Sequence, residues 1–143
     1  RERLEGYQLA LAEYGITPDK NWVISVPFNE EGGERAAHQL LNCGIPFTAA
    51  VTFNDVMAAG IMRILHQQGI TLPQQLSIVG FDDVVMARYL YPALTTMHYP
   101  VERMARCASQ LAIQLFKGAT QRPSVNSFTA ELVIRDSVLP PSL

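Results

Sequence analysis

Strand-like and helix-like signals alternate along this chain with short connections between them, and that alternation constrains the fold more than any other feature. Leu4, Tyr7, Leu11 and Tyr14 recur at helical spacing, and Gly15 stands where a helix C-terminus favours a left-handed residue. A strand is expected over Trp22–Val26. A helix over 33–43 follows, with Ala36, Ala37, Leu40 and Leu41 on one face and Gly44 as its close. Phe47–Phe53 predicts a second strand, and its nearly all apolar or β-branched makeup suits a parallel strand covered on both faces. The next helix runs from about Asp55 to Gln68, with Met57, Ile61, Ile64 and Leu65 inward and Gly69 as its stop. Leu76–Gly80 reads as a third strand, Val84–Leu90 as a short helix and Leu94–His98 as a fourth extended piece. Pro100 suits the first position of a long helix reaching about Lys117, and Phe128–Ile134 alternates as a closing strand.

This rhythm requires βαβ units, so the expected fold class is α/β, a mostly parallel sheet flanked by helices. The length of 143 residues agrees with one domain. A chain of that size buries about two thirds of its unfolded surface, enough for a core without staples. No apolar run approaches the roughly 18 residues of a spanning helix, so no membrane partner is expected. With 11 basic against 13 acidic residues the net charge is -2, and a chain of that balance is a poor binder of nucleic acid by itself. Cys43 and Cys107 fall short of a disulfide framework and fit a reduced, cytoplasmic setting.

Two features fit a single closed α/β unit badly. The chain opens with Arg1 directly in a helical pattern, where a strand should come first, and we therefore expect a fragment. Helix 100–117 is apolar around most of its circumference, with Met104, Cys107, Leu111, Ile113, Leu115 and Phe116 among its residues. Such a helix is expected to be buried on several sides or to face a partner.

In a parallel α/β sheet, ligands bind beyond the carboxyl ends of the strands, where helix N-termini also gather. Arg3 lies in the first helical turn; Phe28, Asn29, Glu30 and Glu31 follow the first strand; Asn54 and Asp55 follow the second; Asp82 and Asp83 follow the third. An arginine, a ring, amides and carboxylates at one edge suit a neutral polyhydroxylated ligand, because each polar group can pair with neighbouring hydroxyls and a ring can stack on a sugar face. Plainer readings stand beside these. Asn54 or Asp55 can cap the helix that follows, and Asp82 or Asp83 can cap residues 84–90. Phe28 can be a lid over the core, and Arg3 a solvated charge, although a cation in a first helical turn is unfavourable.

Catalysis is not expected. Adjacent Asp82 and Asp83 point in different directions after a strand. His38 and His66 read as solvated, and His98 has no nucleophile-elbow serine or cysteine nearby. Zinc-ligand spacing and a phosphate-binding glycine loop are both absent, so no cofactor or metal is implied. Gly32-Gly33 could cradle an anion, but Glu30, Glu31 and Glu34 surround it.

Four motifs occur in order: Arg3-Leu-Glu-Gly-Tyr7, Phe53-Asn-Asp-Val-Met-Ala-Ala-Gly60, Leu76-Ser-Ile-Val-Gly-Phe-Asp-Asp83 and Leu94-Thr-Thr-Met-His-Tyr-Pro100. Together they resemble the C-terminal half of bacterial transcription repressors of the lactose/galactose-repressor family. Ala87-Arg-Tyr89 and Leu132-Val-Ile-Arg-Asp-Ser-Val138 are most similar to its galactose-repressor branch. The resemblance covers essentially the whole chain. It implies a periplasmic-binding-protein-like effector core, with residues 1–96 as its C-terminal lobe and 97–124 as a crossover and helix belonging to the other lobe. Residues 125–143 return as the closing strand and tail, and the crossovers fall near Thr95–Met97 and Ser124–Ser127. It further implies a hexose or galactoside effector held by Arg3, Phe28, Asn54 and Asp82, and a homodimer using apolar residues of the 55–68 helix and of 84–91. Operator DNA would be reached only through a headpiece that is not in this chain. A periplasmic sugar-binding transport protein is the alternative, since it shares the fold and the sugar chemistry.

Overall fold

Two asparagine caps start the helices that frame the core. In the computed structural model, which describes residues 2–118 and 127–140, the side chain of Asn29 accepts a hydrogen bond from the Gly32 amide at 2.9 Å. Asn54 accepts one from the Met57 amide at the same distance. These caps begin α2 (Glu30–Asn42) and α3 (Asp55–Gln67). The cap explains why α2 starts at Glu30, three residues before the sequence expectation. Gly15, Gly44 and Gly69 follow α1 (Glu2–Glu13), α2 and α3 with positive φ, as the sequence predicts.

The strands are short. β1 (Ala49–Val51) pairs in parallel with β2 (Ser77–Val79), in the register Ala50 to Ile78. A parallel bridge from Val79 to Thr95 extends this arrangement by one segment. β3 (Thr96–His98) then pairs antiparallel with β4 (Glu131–Val133), with Met97 opposite Leu132. The α/β class holds, with the antiparallel pair at the side where the chain leaves for and returns from α4 (Val101–Phe116).

Two sequence expectations change. Trp22–Val26 forms no ladder; a 3-10 turn over Lys20–Trp22 leads into an extended segment. Ile24 and Val26 still alternate inward against the core, so the burial pattern is that of a strand without its hydrogen bonds. Residues 84–90 contain a 3-10 turn, Val85–Arg88, in place of a helix.

The core lies between α2, α3 and the first sheet. Ala36, Ala37, Ala58, Ile61, Ile64, Leu65, Leu76, Ile78 and Leu94 are buried within it. α2 and α3 cross at backbone distance because two glycines face the opposite helix. A Cβ added at Gly33 would lie 2.2 Å from the Met57 carbonyl oxygen, and one at Gly60 would lie 2.2 Å from that of Glu30. The apolar face of α3 is thus consumed by the core and is not free for a partner. Met86, Tyr89 and Tyr91 are exposed, Tyr91 at 98%.

No residue of α1 or α4 is buried. Of the two alternatives expected for α4, burial on several sides is therefore not met among the described residues, and Phe116 near its end is 93% exposed. The second expected crossover, near Ser124–Ser127, lies mostly outside the described residues.

Gly60→Ala is expected to destabilise the chain by about 2 kcal/mol, since the added methyl forces α2 away from α3. Gly6→Ala, at an exposed site with nothing within 4 Å of the new carbon, should be neutral or stabilising. The midpoints of urea denaturation measure both.

Candidate ligand-binding edge

The four residues singled out from the sequence come together at the carboxyl ends of β1 and β2. Arg3, on the first turn of α1, places its guanidinium 4.3 Å from the ring centre of Phe53 and 3.6 Å from that of Phe81. It also donates to the Phe53 carbonyl and lies 3.7 Å from Asp82 Oδ1. Cation–π contact on two faces and a nearby carboxylate offset the unfavourable position of a cation at a helix N-terminus. Arg3 is thus no free solvated charge.

Phe28 stacks on Phe53 with ring centres 4.4 Å apart, and 65% of the residue is exposed. It is therefore not a core lid. Asn54 meets both of its readings at once: Oδ1 caps α3, while Nδ2 donates to the Phe28 carbonyl at 3.2 Å. Asp82 accepts from the Tyr99 hydroxyl at 3.3 Å, and its own amide donates to the Met97 carbonyl at 3.0 Å. A chain of contacts therefore runs Asn54, Phe28, Phe53, Arg3, Asp82.

The two neighbouring acids do different work. Asp55 is fully buried; Thr96 donates to its Oδ1 at 2.5 Å, and the Val84 amide donates to its Oδ2 at 2.9 Å. Burial pushes its carboxyl above the usual range, against these two bonds, and the charges of Asp82 and Asp83 add to the rise. A Cβ at Gly80 would stand 2.1 Å from Asp55 Oδ1, so β2 must be followed by glycine for this carboxylate to fit. The 3-10 turn, expected to be capped by Asp82 or Asp83, has no side-chain cap; Asp55 instead holds the amide of Val84, the residue before it.

Asp83 accepts from Arg135 Nη2 at 2.6 Å and faces His98 Nδ1 at 3.1 Å. Burial, the largest single influence, raises its carboxyl. The hydrogen bond and charge of Arg135, joined by those of His98, outweigh it and hold the group below its ordinary value. His38 and His66 are exposed, as the sequence suggests.

Sequence reasoning missed Phe53, Phe81, Tyr99 and Arg135. A signal for the first two was present, since Phe53-Asn54-Asp55 and Phe81-Asp82-Asp83 repeat one pattern at two strand ends. The edge itself is open. A cavity of about 450 Å³ lies elsewhere, lined by His98, Arg103, Phe128 and Glu131, and contains none of the four residues.

Because the carboxyl of Asp83 is held below its unfolded value of about 3.9, it adds stability above that pH, and the gain is lost as pH falls through the folded value. Asp83→Asn is expected to cost about 3 kcal/mol at neutral pH, by leaving Arg135 nearly buried and unpaired. The same variant should flatten the dependence of stability on pH below about 4. Urea denaturation across pH 2.5–7 checks both effects, roughly spanning the acid limb and the plateau.

Comparison with known proteins agrees with this architecture. The family described as periplasmic binding protein-like domain matches residues 1–138. The HTH-type transcriptional regulator GalR of Escherichia coli K12 is 44% identical over 142 residues, 99% of this chain and 41% of that protein. The crystal structure of the Escherichia coli transcriptional repressor ascG superposes with a TM-score of 0.86 at 34% identity, covering 97% of this chain and 50% of that one. The complex of the transcriptional regulator CelR with cellobiose gives a TM-score of 0.90 at 29% identity, over 96% of this chain and 42% of that one. The chain thus spans about two fifths of the length of the curated relatives it matches. Domain match, sequence identity and superposition together make the chain a member of the periplasmic binding protein-like domain family, in the form found in LacI/GalR transcription regulators.

Proposed function

We propose that this chain is the sugar-sensing, dimer-forming part of a transcriptional repressor, with Arg3, Phe28, Asn54 and Asp82 as its ligand contacts. The observation that carries the reading is the convergence of a guanidinium, an exposed stacked ring, an amide and a carboxylate at one strand-end edge. These groups supply paired donors and acceptors for neighbouring hydroxyls and an apolar face for the ring carbons. A hexose or galactoside fits that chemistry, and the relatives named GalR and the CelR–cellobiose complex support it. The regulator names of the relatives favour this reading over a periplasmic transport protein, and make the chain a binding module and not an enzyme.

In the intact protein, residues 1–96 and 125–143 form one lobe, and 97–124 cross to the second. A ligand bridging the lobes favours one relative orientation and so alters how a dimer presents its DNA-binding headpieces. The coupling is reciprocal: effector weakens DNA binding only as far as DNA weakens effector binding. With a net charge of -2 this chain does not grip DNA, and that task falls to a basic headpiece outside it. A cytoplasmic location follows from that task. The homodimer contact is formed by Met86, Tyr89 and Tyr91, exposed side chains around the 3-10 turn.

Calorimetry of the intact protein against hexoses and β-galactosides tests the site. Asp82→Ala should abolish measurable binding. Asn54→Asp is the matching probe for the amide, because it keeps the α3 cap that Asn54→Ala would also remove; it should weaken binding by about 10-fold or more. Unchanged affinity in both variants would reject the assignment. Tyr89→Asp should convert the dimer to monomer on a sizing column, and an unchanged elution volume would remove this surface from the interface.

A further inference from the structure

The backbone at Asp82 has a φ of 114°, a value that side-chain-bearing residues rarely adopt. Its carboxylate is held from one side only. Oδ1 accepts from the Tyr99 hydroxyl at 3.3 Å and lies 3.7 Å from Arg3 Nη2. Among the described residues Oδ2 makes no hydrogen bond or ion pair. Tyr99, between β3 and α4, also packs its ring on Phe81, with centres 5.7 Å apart. Phe81 in turn carries the Arg3 guanidinium. Arg3, Asp82, Tyr99 and Phe81 therefore close a ring of four contacts, and the Tyr99 hydroxyl is the one neutral donor in it.

We infer that Tyr99 is a positioning residue for the effector: its bond to Asp82 Oδ1 fixes the rotation of the carboxylate and so sets where the unengaged Oδ2 accepts from ligand hydroxyls. A carboxylate free to rotate turns its acceptor sites to several hydroxyl geometries and tolerates several sugars. One pinned at Oδ1 selects for the position of the hydroxyl that meets it. Burial pushes the Tyr99 phenol above its ordinary value, and the charge and hydrogen bond of Asp82 add to this, so the group stays a donor at neutral pH. The chain leaves β3 through Tyr99 towards α4, so the same contact ties the ligand carboxylate to the first crossover. This inference rests on the ligand assignment proposed above.

Tyr99→Phe keeps the ring on Phe81 and removes only the hydroxyl. In the full-length protein containing this chain, calorimetry with D-galactose and D-glucose, which differ at one hydroxyl, reads the effect. Tyr99→Phe should weaken the tighter sugar by about 10-fold and narrow the difference between the two. In an Asp82→Asn background the same change should add less than about 2-fold, because the bond it removes is already altered. A readout free of ligand accompanies this: the titration of Tyr99, followed by carbon-13 NMR of labelled tyrosine, should move down in Asp82→Asn. Losses that multiply in the double variant, or a Tyr99 titration that Asp82→Asn does not move, would overturn the inference while leaving the sugar site standing. Sugar affinity unaffected by Asp82→Asn, with the Tyr99 titration still shifted, would overturn the ligand assignment itself and the role of Tyr99 with it.

Discussion

The carboxylate of Asp55 is fully buried, and its two oxygens join segments that are distant in sequence. One holds Thr96 on β3, the other holds the amide of Val84 beyond β2, and the residue itself begins α3 after β1. Its amide donates to the Phe81 carbonyl at 2.8 Å, which adds the end of β2 to the same knot. A buried carboxylate is costly unless its acceptor sites are filled. Filling them here requires that the three strand ends lie in one arrangement, and Asn54 and Asp82 are attached to two of those ends. The geometry of the candidate site is therefore set one layer beneath it.

Around this knot the carboxylates divide by environment. Asp55, dry and bonded to neutral donors, is pushed towards its neutral form; Asp83, bonded to Arg135 and His98, is held as an anion. Arg135 also donates to the Leu94 carbonyl at 2.8 Å and follows β4, so the returning strand is tied to the acid beside Asp82. Asp82 is left between these two structural acids with one oxygen unengaged among the described residues. Three acids of the same chemistry thus take different roles because burial and partners differ at each.

Much of this was legible beforehand because local patterns carry it. Helical spacing and terminal glycines marked α1, α2 and α3, and apolar runs at 47–53 and 76–80 marked the parallel pair. The segment 22–26 misled because alternation records burial, and Ile24 and Val26 are turned inward without any ladder to join. The 84–90 segment misled for the opposite reason. Its residues suit a helix, but the Ala87 carbonyl, which an α-helix would give to the Tyr91 amide, accepts from the Leu94 amide at 2.8 Å, and only a short 3-10 turn forms. α4 is amphipathic and not apolar all round, since Glu102, Arg103, Arg106, Ser109, Gln110 and Gln114 share one face, and pattern alone does not say which surface covers the other. Among the described residues of this chain, no α4 side chain is buried.

By itself, then, the order of residues determined the α/β class and the types of groups gathered at the strand ends. Periodicity and capping are local, so one sequence suffices to read them. Only the tertiary structure decided which groups touch. The Arg3 guanidinium lies over the rings of Phe53 and Phe81, tens of residues away, Tyr99 reaches back to Asp82, and Arg135 crosses to Asp83. Those partnerships depend on distances in space and on which charges are shielded from water, and neither is encoded in spacing along the chain.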